Sequence, residues 1–425
     1  MPSKKPDKFN SAEVAENPRS PMAQSPPLGG GFGRDLSNWL FPLFLGLILV
    51  AVFIIWKFGA AGGTTNPVRA MFIAMNAATL TGFNGSPGVS SALNNVGQWT
   101  TFILIISGSL FTMIAGGLAV IRIAHLKFTD RELILSAFIV ETLFVLVGTS
   151  LLWDSDRSPF QAAFLAASAF GNCGLYLGAL PGVSNVLAHA VILPLTVLGG
   201  LGLPVLMEFW CALIFHEPLS EHSKTVISAT GWLYVIGLIG IVLLTSAGRG
   251  WTNWTQLQNQ LPTASVLAIE SRTGGMPIAD LSATTAPARW FLVALMAVGA
   301  NSAGTGSGLK TTTIAELARG TRRLLKAQPP GRSFAIAFVW LATYLALALG
   351  AVLLLSYVSI GDPPDNLLFN AVSAVSNVGL TVSAVPDEKG LYFAFNAIIL
   401  VGRMAPLMIL WWMAETTGDA ELAVG

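Results

Sequence analysis

The sequence predicts an all-α membrane protein. Four membrane–pore–membrane repeats (about eight transmembrane helices and four re-entrant pore helices) stand in pseudo-fourfold symmetry around a central pore. Three observations carry this prediction: a composition unsuited to water, eight long apolar stretches, and a proline-to-glycine segment that recurs four times. Of 425 residues, 53% are hydrophobic and 11% charged, against roughly 25% charged in soluble domains. The net charge of +1 gives no support to nucleic-acid binding, and two cysteines, Cys173 and Cys211, indicate neither a disulfide framework nor a zinc site.

A helix needs roughly 20 apolar residues to cross hydrocarbon. Residues 36–56, 89–121, 225–248 and 333–361 carry no charge, and further spans lie near 133–153, 185–215, 288–314 and 390–413. Eight crossings are predicted. Residues 1–35, rich in Pro, Ser, Lys and Gly, are expected to be a disordered cytoplasmic tail. A cleaved signal peptide ending near Ala60-Ala61-Gly62 fits less well, because the apolar run is long and starts far from the N-terminus. With the N-terminus inside, fourteen Lys and Arg fall on inner segments and seven on outer ones. That imbalance predicts both termini in the cytoplasm.

Internal repetition sets the domain boundaries. The prolines are Pro67, Pro159, Pro262 and Pro364, and the glycines that follow are Gly82, Gly174, Gly275 and Gly379. The pairs are 15 residues apart in copies one, two and four, and 13 in copy three. Three copies share a Phe–Asn/Ser–Ala register: Phe72, Asn76, Ala77; Phe164, Ser168, Ala169; and Phe369, Ser373, Ala374. The expected units are residues 36–122, 123–216, 217–327 and 328–415, followed by a short cytoplasmic tail, 416–425.

Each proline is suited to the first turn of a helix, with Asn66 and Ser158 placed as N-caps. About ten to twelve residues at ~1.5 Å each reach only partway through a bilayer. The negative end of such a half-helix points inward and favours a cation. The backbone that follows is tolerated only where it lines a protein cavity. Those segments are Leu80-Thr81-Gly82, Asn172-Cys173-Gly174, Thr273-Gly274-Gly275 and Asn377-Val378-Gly379. Glycine is free to take backbone angles that other residues resist, and four such segments offer a ring of carbonyls that replaces a cation's hydration shell. No side-chain carboxylate joins them, which points to a large, weakly hydrated monovalent cation.

At these residues the sequence resembles the Trk/Ktr/HKT superfamily of potassium transporters, over essentially all of 36–415. Ser271-Arg272-Thr273-Gly274-Gly275-Met276 looks like the family's third filter, usually S/T-R-T-A-G-F. Gly299–Lys310 looks like its glycine-rich intramembrane loop, and Gly402-Arg403-Met404-Ala405-Pro406-Leu407 resembles the G-R-x-G-P-L segment of its last helix. The TrkH/KtrB-like membrane subunits fit best. Gly274 and Met276 depart from the usual Ala and Phe, and Ala303 and Ala405 stand where glycines are common. The resemblance implies potassium as the transported ion, a bacterial inner membrane, a homodimer, and a cytosolic nucleotide-binding partner of the regulator-of-potassium-conductance type. Arg319, Arg322, Arg323 and Lys326 are a candidate docking patch for that partner, or equally a positive-inside anchor.

The gate is expected in Gly304, Thr305, Gly306, Ser307, Gly308 and Lys310, together with Arg403. A charge in mid-span costs roughly 2.5–3.5 kcal/mol on insertion scales, so Arg403 should face a pore or a partner, with an ion pair to Glu141 or Glu208 as the structural alternative. It lies 24 residues after Gly379, as Gly299 lies 24 after Gly275. The loop is no phosphate-binding loop, because Leu309 separates Gly308 from Lys310. Glu270 and Arg272 are expected to form a local salt bridge that steadies the third filter. Glu141, Glu208 and His189 are intramembrane groups without an assigned role. No catalytic constellation supports an enzyme. The pore-like subunit of a potassium-pumping ATPase and a sodium-coupled symporter of the same fold are the rival functions. Inverted repeats fit poorly, since every glycine segment falls on the same side.

Overall fold

The computed structural model describes residues 31–63, 65–86, 88–247 and 254–416. The predicted N-terminal tail lies outside the described residues up to position 30, and the C-terminal tail from 417 onward. Helix α1 (Gly31–Phe58) begins a little before the expected position 36.

The half-helices form where the sequence places their caps. Helix α2 (Pro67–Ala78) starts with the Asn66 side chain accepting the Val68 N–H at 3.0 Å. A short turn, α3 (Val89–Ala92), precedes the long α4 (Asn95–Ile123) and α5 (Asp130–Leu152). Helix α6 (Pro159–Phe170) opens on a reciprocal capping box between Ser158 and Gln161. Helix α7 (Leu193–Leu201), entered through a π-helical turn at Ala188–Ile192, is followed by α8 (Leu203–Phe215) and α9 (Glu221–Ala247). The third half-helix, α10 (Trp254–Ile269), departs from expectation: Pro262 sits inside it, not in its first turn. The ring of Pro262 frees the carbonyl of Gln258, which belongs to an exposed residue where water can serve it. Helices α11 (Ala286–Ala297), α12 (Thr311–Leu325), α13 (Arg332–Val358), α14 (Pro364–Val375) and α15 (Lys389–Thr416) complete the chain, which forms no β-strand among the described residues.

The all-α membrane fold expected from the sequence is the fold observed, with two of the expected spans broken. Among the described residues, six helices are long and apolar enough to cross a membrane, and a seventh crossing arises if α7 and α8 are one span bent by 103°. That bend falls at Gly202, whose φ of +93° suits glycine. The expected span at 288–314 is broken outright. Helix α11 ends at Ala297, the glycine-dense stretch that follows holds no helix, and α12 resumes at Thr311 as a polar, basic helix. Glycines at 299, 304, 306 and 308 are too costly for a continuous helix.

The first helix of each repeat faces outward. In α1, α5, α9 and α13 only 22% of the most apolar window is buried inside the protein, against 78% in α4 and 50% in α15. Leu43, Phe53, Phe138, Leu146, Trp232 and Leu349 are exposed on those outer helices, as suits contact with lipid chains. The half-helices lie within this wall, and their shared phenylalanines, Phe72, Phe164 and Phe369, are buried.

What lets the inner helices approach the half-helices is glycine. A Cβ on Gly108 would overlap the carbonyl oxygen of Ala78, one on Gly199 that of Phe170, and one on Gly402 that of Val375. In three copies, then, a second-helix glycine rests on the last turn of its own half-helix. Gly402→Leu is expected to lower the thermal midpoint of the detergent-solubilised protein, with a cost of about 1–3 kcal/mol from overpacking. Gly350→Leu is the control: a Cβ there meets nothing within 4 Å, so its midpoint should stay put.

Candidate functional site

At the end of each half-helix the backbone leaves the helical path through a five-residue bond. Thr81 N–H reaches the Asn76 carbonyl at 2.9 Å, Cys173 N–H reaches Ser168 at 2.8 Å, and Val378 N–H reaches Ser373 at 2.9 Å. The residue two before each glycine is left-handed in these copies: Leu80 at φ +56°, Asn172 at +56° and Asn377 at +48°. Gly82, Gly174 and Gly379 follow at φ +75°, +82° and +85°. Copy three differs. Glu270–Gly274 forms a π-helical turn, closed by Gly275 N–H on the Glu270 carbonyl at 2.9 Å, and only Gly275 is left-handed, at φ +60°. Thr273-Gly274 therefore belongs to a helical turn, and no left-handed residue stands two before this glycine.

The four glycines close a ring in chain order. A Cβ on Gly82 would overlap the Cys173 carbonyl oxygen, and one on Gly174 would stand 2.9 Å from those of Gly274 and Gly275. One on Gly275 would overlap the carbonyl of Val378, and one on Gly379 that of Thr81. Each glycine thus leans on the carbonyl just before the next copy's glycine, and copy four leans back on copy one. Any side chain at these positions meets backbone oxygen as well as an unfavourable φ.

Buried amides tie the ring to its surroundings. The Asn377 amide nitrogen donates to Thr81 Oγ1 at 2.8 Å and to the Ile399 carbonyl at 3.0 Å. Asn172 does the equivalent to Thr305 Oγ1 at 2.6 Å and to the Thr196 carbonyl at 3.1 Å. Beyond the glycine, the Phe83 N–H donates to Asn76 Oδ1 at 2.8 Å in copy one, and the Met276 N–H to Glu270 Oε2 at 2.9 Å in copy three. No Glu270–Arg272 salt bridge forms among the described residues. Arg272 instead donates to the Gly299 carbonyl at 3.2 Å.

The glycine-rich segment is a closed loop beneath this ring. Its ends meet through Leu309 N–H on the Ala297 carbonyl at 3.0 Å and Ala300 N–H on Ser307 at 3.1 Å. It docks on the carbonyls freed at the end of α7: Asn301 N–H donates to Gly200 at 3.2 Å and Thr305 N–H to Gly199 at 3.1 Å. Lys310 Nζ donates to the Gly306 carbonyl at 3.2 Å, and Ser307 Oγ to Gly402 at 3.0 Å. Gly304 and Gly308 sit within the loop, against the carbonyl of Gly200 and the backbone of Gly299 respectively.

Arg403 joins loop to ring. Its Nε donates to the Thr79 carbonyl at 2.8 Å, and its Nη1 donates to the Thr305 carbonyl at 2.7 Å. Nη2 bonds the Thr79 carbonyl as well and reaches Leu80 at 3.4 Å. The ion-pair alternative is overturned: among the described residues this guanidinium, 3% exposed, has no carboxylate partner. Its partners are backbone carbonyls, at the negative end of α2 and in the loop.

The remaining candidates lie apart. Glu141 is buried on α5, Glu208 accepts the Ser220 hydroxyl at 2.7 Å, and His189 Nε2 is 2.7 Å from the Val183 carbonyl. Arg322 and Arg323 are exposed on the last turn of α12, Lys326 is exposed as its C-cap, and Arg319 pairs with Glu316. A cavity of about 320 Å³ lies between α9 and α10, lined in part by Thr245, Asn259, Gln260 and Asp280. It does not touch the ring or the loop. Sequence reasoning missed the anchoring amides of Asn172 and Asn377, although their shared register two before the glycine was visible. It also missed Gly199 and Gly200, whose partners are distant in sequence.

No protein-family model matches the chain. Among curated proteins it is 28% identical over 271 residues to the Ktr system potassium uptake protein B of Vibrio alginolyticus, covering 60% of this chain and 59% of that protein. The chain thus spans about three-fifths of that relative's length. It is 27% identical to the Ktr system potassium uptake protein B of Bacillus subtilis, covering 71% of this chain and 69% of that protein. With the potassium/sodium uptake protein NtpJ of Enterococcus hirae the identity is 25%, over 89% and 91% of the two chains. The fold is that of the crystal structure of the potassium transporter TrkH from Vibrio parahaemolyticus. The TM-score is 0.64 at 14% identity, and the match covers 87% of this chain and 84% of that one. In sequence the chain is similar to Ktr system potassium uptake proteins, and in fold to the potassium transporter TrkH.

Proposed function

We propose that this chain carries potassium-selective uptake across a bacterial inner membrane through a backbone-carbonyl filter gated by an intramembrane loop. The observation that carries the reading is the closed ring of Gly82, Gly174, Gly275 and Gly379, each resting on a neighbour's carbonyl. Carbonyls so crowded and so buried replace a cation's water shell, and the ends of α2, α6, α10 and α14 add negative dipole ends. The names of the relatives supply the ion. Leu80, Thr81, Gly82, Asn172, Cys173, Gly174, Thr273, Gly274, Gly275, Asn377, Val378 and Gly379 would form the filter. Gly304–Gly308, Lys310 and Arg403 would form the gate.

Repeat boundaries, both termini in the cytoplasm, a homodimer and a nucleotide-binding regulatory partner belong to the same proposal. The exposed basic end of α12, with Arg322, Arg323 and Lys326, supports a cytoplasmic docking surface. A second reading, in which sodium is also carried, is favoured by the name of the potassium/sodium relative.

Purified protein in liposomes should pass potassium and rubidium well ahead of sodium, with or without a sodium gradient. Equal sodium flux removes the selectivity claim. Gly82→Ser places a Cβ on the Cys173 carbonyl and should cut potassium-over-sodium discrimination roughly tenfold, the ratio that about 1.4 kcal/mol represents.

Shortening Gly304–Gly308 should raise ungated potassium flux. Arg403→Ala should raise it less, since Thr305 still holds Gly199 and Asn172. Hydrogen exchange offers an independent check: Arg403→Ala should speed exchange of the Asn301 and Thr305 amides while α4 stays protected. Unchanged flux in a folded, shortened variant would leave the loop as a packing kink.

A further inference from the structure

The third filter segment is built differently from the others, and the difference rests on two residues. Gly274 has an ordinary φ, outside the region that favours glycine, so its backbone conformation does not explain the missing side chain. Space does. The position a Cβ would take is occupied by Oε2 of Glu270, with the carboxyl carbon 2.9 Å away and Thr196 Cγ2 at 2.8 Å. The Glu270 carboxyl, wholly buried, spends that position on the backbone: Oε2 accepts the Met276 N–H at 2.9 Å, and Oε1 faces Thr196 Oγ1 at 3.5 Å. Met276 follows the filter glycine, as Phe83 does in copy one, where Asn76 Oδ1 accepts the corresponding N–H at 2.8 Å. In copy three the five-residue bond ends on Gly275 itself, not on the residue before it. The acceptor must therefore come from one position nearer the glycine, and Glu270 stands there. Arg272 takes no part in holding this carboxyl, because its guanidinium turns to the Gly299 carbonyl.

We propose that Glu270 and Gly274 are one mutually dependent device, in which the buried carboxyl fixes the third filter segment through the Met276 N–H and so sets cation discrimination, and the missing side chain at 274 is the room it needs. Glu270 is a positioning residue on this view: it acts through the backbone and not by touching the ion. The inference rests on the reading of the glycine ring as a selectivity filter, and two separable measurements test it.

The first is a thermal-stability cycle on detergent-solubilised protein, which does not depend on transport. Gly274→Ala should lower the midpoint markedly in the Glu270 background and much less in Glu270→Ala, where only the Thr196 methyl must turn aside. Additive losses overturn the pairing. The second is rubidium uptake into liposomes with sodium as competitor. Glu270→Ala leaves the Met276 N–H without an acceptor, and potassium-over-sodium discrimination should fall roughly tenfold, seen in KM and in sodium inhibition more than in maximal rate. Glu270→Gln keeps one oxygen for that N–H and should fall between. A folded Glu270→Ala protein with wild-type KM and sodium inhibition overturns the specificity role. If the wild-type protein itself fails to discriminate, the filter reading falls and takes the specificity role with it, while the stability cycle still decides whether the two residues are coupled.

Discussion

The contact on which the rest of the structure depends is backbone against backbone: a glycine α-carbon resting on a carbonyl oxygen. It occurs in a ring, where Gly82, Gly174, Gly275 and Gly379 each abut the backbone of the next copy's glycine segment. It occurs again one layer out, where Gly108, Gly199 and Gly402 abut the last turns of the half-helices. Half-helices that end inside the protein leave carbonyls with no partner in their own helix, and in an apolar setting each such group is expensive unless it is bonded or solvated. On the proposed reading, a cation stripped of its water is the ligand that would serve the carbonyls brought together at these four ends.

Arg403 answers the same problem by another means. Below the ring, the carbonyls of Thr79, Leu80 and Thr305 receive a guanidinium fork. A buried positive charge normally calls for a carboxylate, and one left unpaired is costly. Here the end of a half-helix supplies the negative potential and the loop carbonyl supplies the third acceptor. Because one side chain holds both, the loop cannot leave while Arg403 keeps its full set of bonds. A lysine, with its single point of charge, lacks the planar fork that spans the two sites.

Much of the architecture was legible because it repeats and because its physics is local. Proline at a first turn, Asn66 and Ser158 as caps, and a glycine at fixed distance are one-dimensional signals, and α2, α6 and α14 obey them. What was not legible depends on partners far away in sequence. The bend at Gly202 and the break after Ala297 looked like apolar spans, since hydropathy counts side chains and ignores whether the backbone can stay helical. The partners of Arg403 are carbonyls, which every residue carries, so sequence could only suggest acidic side chains. Glu270 and Arg272 lie two apart and suggested a pair, yet residues two apart on a helical turn do not face each other, and each found backbone instead.

The third repeat is where these failures gather, and that concentration has a physical reading. Its proline spacing is shorter, its Phe–Ala register is missing, its half-helix begins before the proline, and its glycine is reached through a π-helical turn. Its second span is also the one that dissolves into the glycine-rich loop. Arg272 links two parts of this copy: it sits within the π-helical turn that ends at Gly275 and donates to the carbonyl of Gly299, the first glycine of the loop. The glycine segment and the loop of the third repeat are thereby bonded through one side chain, and Arg403 brings the first and fourth repeats to the same loop. Departure from fourfold symmetry in the sequence thus marks the place where the structure needs to be asymmetric.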